Sequence, residues 1–168
     1  MKIVIGASRK STGLMIGSEV IQLWMGTDYS HVYVRWYLDD QEREIVYQAS
    51  HGSVHYQSLN NFTKDNVIVK EFVLDISCQQ FKNMSQKCID LAGQSYSILE
   101  LAQIFVSGFT SAKFADQQGY ICSELIGELL VDLGYNFNKP NYLLTPKDII
   151  ETLEKNLIKY GDKDVGQN

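Results

Sequence analysis

Two neighbouring stretches of the chain alternate hydrophobic and polar residues with a period of two, which is typical of β-strands. The first is 31–38 (HVYVRWYL), with Val32, Val34, Trp36 and Leu38 on one face and His31, Tyr33, Arg35 and Tyr37 on the other. The second is 44–49 (EIVYQA), which follows a polar turn. Shorter hydrophobic runs predict further strands at 2–6, 54–56 and 67–74.

Hydrophobic residues at helical spacing predict five helices, at 16–26, 77–92, 98–106, 122–133 and 146–158. Gly134 is a typical C-terminal cap for the fourth helix. Thr145 and Pro146 supply an N-cap and a first-turn proline for the fifth. Together these elements predict a single α+β domain over 1–160, with a meander-like antiparallel sheet and helices packed on it. The polar residues 161–168 form a flexible tail in this prediction.

The hairpin formed by the two alternating stretches brings a histidine beside a glutamine. If its turn is centred on Asp39-Asp40, Arg35 lies opposite Glu44, an opposite-charge pair that contributes about 0.2–1 kcal/mol. The same register places His31 opposite Gln48. A glutamine oxygen can accept from one ring nitrogen and leave the other to act as a base. The alternative is that His31 is an ordinary strand residue with a hydrogen-bonded ring.

Cys122 begins a predicted helix whose hydrophobic residues face the sheet. A thiol in the first turn feels the positive end of the helix dipole, so we expect a lowered pKa and a reactive thiolate. Its backbone N–H is an unpaired amide that can stabilise an oxyanion. The alternative is a small core residue, the interpretation that fits Cys88 in the middle of its helix. Cys78 has polar neighbours and less support as a nucleophile.

Charge and cysteine content narrow the function classes. The 168 residues carry a net charge of −5 and contain no basic run, which disfavours nucleic-acid and anionic-membrane partners. No stretch reaches the ~20 apolar residues of a transmembrane helix, and the N-terminus lacks a signal-peptide pattern. Three cysteines are an odd number, which argues against a disulfide framework. We therefore expect a cytoplasmic protein without a membrane segment.

Four motifs in order resemble the permuted papain-like enzymes of the NlpC superfamily, which include proteins similar to YiiX and to lecithin:retinol acyltransferase. They are Ser30-His31-Val32, Tyr47-Gln48-Ala49, Gly93-Gln94-Ser95-Tyr96 and Cys122-Ser123-Glu124-Leu125. The resemblance covers about 6–133. It implies a circularly permuted papain-like fold, because the order here is histidine, polar residue, cysteine, whereas papain has cysteine, histidine, polar residue.

The resemblance also implies roles for individual residues. Cys122 would be the nucleophile, His31 its base, and Gln48 the orienting residue at a position where many relatives have Glu. Tyr120, just before the nucleophile, would line the pocket. Tyr33 stands where relatives commonly have Gly, so its ring would narrow the substrate cleft.

His51 and His55 invite a zinc interpretation, but no further Cys/His cluster completes a set of ligands. We expect no metal and no cofactor, and we interpret both histidines as rim residues that contact substrate. The segment 6–13 (GASRKSTG) lacks the spacing of a phosphate-binding loop and is interpreted as a flexible loop.

Three functions stay open at this point. The first is a cysteine-dependent amidase or peptidase acting on small peptides of the γ-glutamyl or cell-wall type. The second is a thiol acyltransferase or lipid-modifying esterase with the same site. The third is a catalytically silent binding protein, which the presence of both Cys122 and His31 disfavours.

Overall fold

The structure is a computed structural model that describes residues 1–11, 16–38, 43–50, 52–95 and 121–161. Within these residues, five antiparallel strands form one sheet in the order β4-β3-β2-β1-β5. The strands are β1 (Lys2–Lys10), β2 (His31–Leu38), β3 (Arg43–Ser50), β4 (Ser53–Ser58) and β5 (Asn66–Asp75). The first four follow one another as a meander, and β5 adds to the free edge of β1. The predicted α+β class with an antiparallel sheet is confirmed.

Five α-helices are described, namely α1 (Ile16–Met25), α2 (Leu59–Asp65), α3 (Cys78–Leu91), α4 (Cys122–Asp132) and α5 (Pro146–Gly161). A short 3-10 helix, Asn141–Leu143, precedes α5. Their ends follow from local chemistry: Ser77 and Gln80 form a capping box on α3, and Gly134 adopts a φ of 96° after α4. None of the described helices has both the length and the apolar character that crossing a bilayer requires. The predicted helix at 98–106 and the tail from 162 onwards lie outside the described residues.

The two faces of the sheet are covered unequally. One face carries most of the core, with Val32, Val34 and Trp36 of β2 packing with the buried side of α4 and with α5. The other face carries a small cluster of Tyr33, Val46 and Phe62, the last from α2. Side chains alternate between faces along a strand, so His31 and Gln48 share this second face with Tyr33 and Val46.

The predicted hairpin register is wrong by two residues. In the observed ladder Leu38 pairs with Arg43, and Arg35 lies opposite Val46 instead of Glu44. The strands are thus joined by the four residues 39–42 and not by a two-residue turn at Asp39-Asp40. An even shift leaves every side chain on its predicted face. Arg35 still forms an ion pair with Glu44, now diagonally across the strands.

Two further predictions differ from the structure. The segment from Gly6 to Lys10 was expected to be a loop, but it continues β1 and pairs with both β2 and β5. The polar residues of this segment do not show a strand pattern. The segment is nevertheless a strand, because β2 and β5 on its two sides supply its backbone hydrogen-bond partners. The sequence pattern also missed α2, which has seven residues, begins at the N-cap Ser58 and buries only Phe62.

Candidate active site

His31 and Gln48 are joined by a hydrogen bond between their side chains. Nε2 of His31 lies 2.7 Å from Oε1 of Gln48. An amide oxygen only accepts, so Nε2 of His31 is the donor and carries a proton. Gln48 is buried and His31 is partly exposed, so the ring is held from its inner side.

This bond lies where the pairing of two strands ends. The β2–β3 ladder runs from Leu38 and Arg43 to Val34 and Tyr47, and the pairing goes no further. His31 and Gln48 therefore face each other beyond the ladder as diagonal neighbours on one face. Long side chains span such diagonals, which are about 7–8 Å between Cα atoms.

Cys122 is the first residue of α4, and the structure places its thiol at the same end of β2. The N-cap of this helix is Ile121, which supplies no capping side chain. The backbone amides of Val32 and Ser123 hydrogen-bond the sulfur instead, and the amide of Cys122 itself lies close to it. Val32 directly follows His31, so the thiol lies beside the backbone that carries the proposed base.

Burial dominates the acidity of this thiol. The Cys122 side chain is 2% exposed, and burial raises its pKa from 9.0 to about 11. The three backbone amides lower the pKa, because they stabilise the thiolate, but their effect is smaller than that of burial. The expectation of a lowered pKa is therefore wrong, and the thiol is neutral at pH 7.

The helix that carries Cys122 is anchored firmly against its neighbours. Leu125, Ile126 and Leu130 are fully buried, and the Ser123 hydroxyl donates to the carbonyl of Leu144 at 2.5 Å. Gly127 allows this close approach, because an added Cβ would lie 2.4 Å from Cδ1 of Leu144. Rigid support of this kind fixes the position of the first turn and of its thiol.

The other two cysteines have different environments. Cys88 is buried in the middle of α3, and burial raises its pKa to about 12. This agrees with the interpretation of Cys88 as a core residue. Cys78 is exposed at the start of α3.

Tyr33 belongs to the interior and not to an open cleft. Its side chain is fully buried, and its ring packs on Phe62 with centroids 4.5 Å apart. Its hydroxyl donates to Oε1 of Glu71 at 2.7 Å, and Arg35 binds both oxygens of the same carboxylate. Complete burial does not fit the expected contact with substrate, and we assign Tyr33 to the support of the second face.

His55 of β4 lies beside Gln48, a contact that was not among the sequence predictions. It pairs directly opposite Gln48, and its Nε2 lies 3.4 Å from Nε2 of Gln48. The observed register pairs Ser50 with Ser53, and counting back two residues on each strand sets Gln48 against His55. His55 was instead interpreted as a rim residue.

Two further features surround this row of side chains. Ser8 of β1 pairs opposite His31, and its buried hydroxyl has no hydrogen-bond partner among the described residues. On the other side, the motif that begins at Gly93 docks on β4. The amide of Gly93 donates to the carbonyl of Val54, and the amide of Val54 donates to the carbonyl of Gln94.

Two predicted substrate-contact residues, Tyr120 and His51, lie outside the described residues, as does Tyr96 of the Gly93 motif. In the described part of the chain, no three His, Cys, Asp or Glu side chains are grouped so that they could hold a metal ion.

The geometry thus brings His31, Gln48 and His55 into one row and sets the Cys122 thiol beside the amide of Val32. The thiol packs with Val32 on the face of the sheet that α4 covers, whereas the imidazole with its fixed donor nitrogen lies on the other face, and the adjacent residues His31 and Val32 of β2 connect the two. In comparisons with known proteins, no protein-family model matches the chain and no curated protein matches it significantly.

Proposed function

We propose that this protein is a cysteine-dependent hydrolase that cleaves an amide bond of a small peptide. Cys122 is the nucleophile, His31 the base and Gln48 the residue that orients the imidazole. The observation that carries the proposal is the 2.7 Å bond from Nε2 of His31 to Oε1 of Gln48. Because of this bond, Nε2 carries the proton and Nδ1 has the lone pair. A catalytic base needs such a lone pair to accept a proton.

The reaction proceeds in two halves. As Sγ of Cys122 attacks the carbonyl carbon, its proton passes to Nδ1 of His31, and the carbonyl oxygen becomes an oxyanion that the Cys122 amide stabilises. The carbon–nitrogen bond then breaks, the amine leaves with the proton from His31, and a thioester remains. Water attacks the thioester with His31 again as base, which releases the acid and restores the thiol.

The raised pKa of the thiol determines how the first step occurs. Because Cys122 is neutral at pH 7, its proton leaves during the attack and not before it. His31 then acts as a general base, an effect that contributes about 10²–10⁴-fold to rate. The backbone amides near the sulfur stabilise the negative charge that develops on it during the attack.

The fold we infer is the circularly permuted papain-like one. The order His31, Gln48, Cys122 along the chain supports it, as do the central position of β2 in the sheet and the helix α4 that starts at the cysteine. Among acyl compounds we favour amides of small peptides, as expected from the resemblance of the motifs. The closest competing function is acyl transfer from the same thioester to an alcohol or amine.

The test measures release of p-nitroaniline from a set of γ-glutamyl and alanyl p-nitroanilides, with the matching nitrophenyl esters in parallel. Mass spectrometry of the intact protein after acid quenching detects the acyl-enzyme. We expect acylation and turnover in the wild type and neither in Cys122→Ala. His31→Ala should lose at least about 100-fold in kcat.

Cys78→Ala is the matched control, because it removes an exposed thiol of the same chain at the start of another helix. It should keep full activity. Ester cleavage without amide cleavage, accelerated by an added alcohol, would identify an acyltransferase instead. If acyl label appears on Cys78 and not on Cys122, the proposal is wrong.

A further inference from the structure

A backbone carbonyl determines which groups donate and which accept in the hydrogen bonds around Gln48. Nδ1 of His55 lies 3.1 Å from the carbonyl oxygen of Ser53. A carbonyl oxygen only accepts, so Nδ1 of His55 carries the proton of this bond. In the neutral imidazole, Nε2 of His55 then holds a lone pair and accepts a hydrogen bond.

That acceptor determines how the amide of Gln48 is turned. Nε2 of Gln48 lies 3.4 Å from Nε2 of His55, and an amide NH₂ group only donates. With its nitrogen directed to His55, the amide presents Oε1 to His31 at 2.7 Å. His31 must therefore donate from Nε2, and its lone pair lies on Nδ1.

We propose that His55 is a positioning residue that sets the orientation of the Gln48 amide and, through it, the tautomer of His31. This inference rests on the proposed function only in that Nδ1 of His31 is the nitrogen that accepts the Cys122 proton. Without an acceptor at position 55, the amide can turn by 180° and present its NH₂ group to His31. The ring would then protonate Nδ1 and lose its function as a base.

The fold explains why an amide at position 48 needs such a partner. A carboxylate has two equivalent oxygens and presents an acceptor to His31 in either orientation, whereas an amide has one correct orientation. Gln48 is 2% exposed, so bulk water does not satisfy its NH₂ group. The β3–β4 register places His55 directly opposite Gln48, where it supplies the acceptor.

The test reads the tautomer directly. Protein labelled with ¹⁵N in its three histidines gives ring ¹⁵N shifts that separate the protonated nitrogen from the nitrogen with the lone pair. We expect His31 protonated on Nε2 in the wild type. In His55→Phe we expect a substantial fraction protonated on Nδ1. His55→Gln keeps an acceptor oxygen and should restore the wild-type tautomer, and His55→Val repeats the removal with a good strand residue.

The same comparison in a Gln48→Glu background separates orientation from packing. There the carboxylate accepts from His31 whatever stands at position 55, so His55→Phe should leave the His31 tautomer unchanged. In the Gln48 protein the same change should lower kcat about tenfold or more with little change in KM. Equal effects of His55→Phe in both backgrounds, or an unchanged tautomer in the Gln48 protein, would overturn the inference.

The spectroscopic readout also separates this inference from the proposed function. Cys122→Ala protein should show the same response of His31 to His55→Phe, because the row of side chains does not depend on the thiol. A tautomer change in a protein without hydrolase activity would contradict the proposed function alone. An active enzyme in which substitutions at position 55 do not change the His31 tautomer would contradict this inference alone.

Discussion

Oε1 of Gln48 lies 2.7 Å from Nε2 of His31, although the strand ladder ends before it reaches either residue. The side-chain bond thus continues the link between β2 and β3 beyond their backbone pairing. It fixes one ring nitrogen as a donor and, in the neutral ring, places the lone pair on the other. The position of the imidazole therefore depends on the neighbouring strand as well as on its own.

Replacing Gln48 by Leu should impair catalysis much more than folding. Leu removes the acceptor for Nε2 of His31, so the ring loses both its preferred tautomer and its orientation. We expect kcat/KM for the p-nitroanilide substrate to fall about 10- to 100-fold, a loss of about 1.4–2.8 kcal/mol in transition-state stabilisation. Steady-state kinetics measures the loss, and the midpoint of urea denaturation provides the folding control.

Gln48→Glu is the matched variant, because it keeps an acceptor and adds a charge. The carboxylate stabilises the protonated imidazole, so the acid limb of the kcat/KM profile should move to higher pH. Activity at pH 8 should stay within about tenfold of the wild type. If Gln48→Leu and Gln48→Glu behave alike, Gln48 does not act on His31 through an acceptor oxygen.

The raised pKa of Cys122 predicts slow alkylation at neutral pH. A thiol with a pKa of about 11 is almost entirely protonated at pH 7, and only the thiolate attacks iodoacetamide. In a Cys78→Ala protein, we expect the rate of Cys122 alkylation to rise about tenfold per pH unit from pH 7 to 10. Peptide mapping by mass spectrometry assigns the site. A rate that levels off below pH 8 would instead indicate a thiolate paired with imidazolium.

The alternation of residues in β2 was enough to predict its limits and faces. His31–Leu38 is the observed strand, and α4 begins at the predicted Cys122. In both elements the spacing of hydrophobic residues follows from packing one face against the same core. Gln48 beside His31 was also predicted, and it survives a register error of two residues because an even shift preserves the face.

What the sequence did not reveal depends on tertiary context. The net acidity of Cys122 is set by burial beneath other elements, which outweighs the local helix effect that a sequence displays. The complete burial of Tyr33 could not be predicted without knowing that β1 continues past Gly6 and that α2 brings Phe62 beneath the ring. The role of His55 could be recognised only from the β2–β3 and β3–β4 registers together, since His55 acts on His31 through Gln48.

Gly6 and Tyr33 form a complementary pair across β1 and β2. They lie directly opposite each other, and an added Cβ at position 6 would stand 2.2 Å from Cζ of Tyr33. In an ordinary strand Ala is favoured over Gly by about 0.5–1 kcal/mol. Here we expect Gly6→Ala to destabilise the protein by about 1–3 kcal/mol, because the buried ring must move. Urea denaturation measures the change.

A double-mutant cycle tests whether the ring is the cause. In a Tyr33→Val background the space above Gly6 is open, so Gly6→Ala should cost little or should stabilise. The coupling energy should be about 1–3 kcal/mol. Additive effects of the two changes would show that Gly6 is needed for a reason other than the tyrosine ring.

Glu71 connects the buried tyrosine to the charged residues of the second face, and its acidity predicts a loss of stability in acid. The Arg35 guanidinium, helped by the Tyr33 hydroxyl, holds the pKa of the Glu71 carboxyl below its usual 4.5, although burial acts in the opposite direction. A lowered pKa in the folded state contributes stability above the pKa of the unfolded chain. That contribution disappears as the pH falls through the folded value. The stability of the wild type should therefore exceed that of Glu71→Gln by about 1–2 kcal/mol at pH 7, and this difference should shrink as the pH falls below 4.5.

Glu154→Gln is the control for that experiment. Glu154 also pairs with a cation, Lys70, but both side chains are more than a third exposed, so water screens the pair. Its removal should cost at most about 1 kcal/mol at any pH. Chemical denaturation at pH 3, 5 and 7 compares the two variants with wild type. A gap for Glu71→Gln that stays constant with pH would contradict the assignment, because only an ionised Glu71 makes the bonds to Arg35 that separate the two proteins.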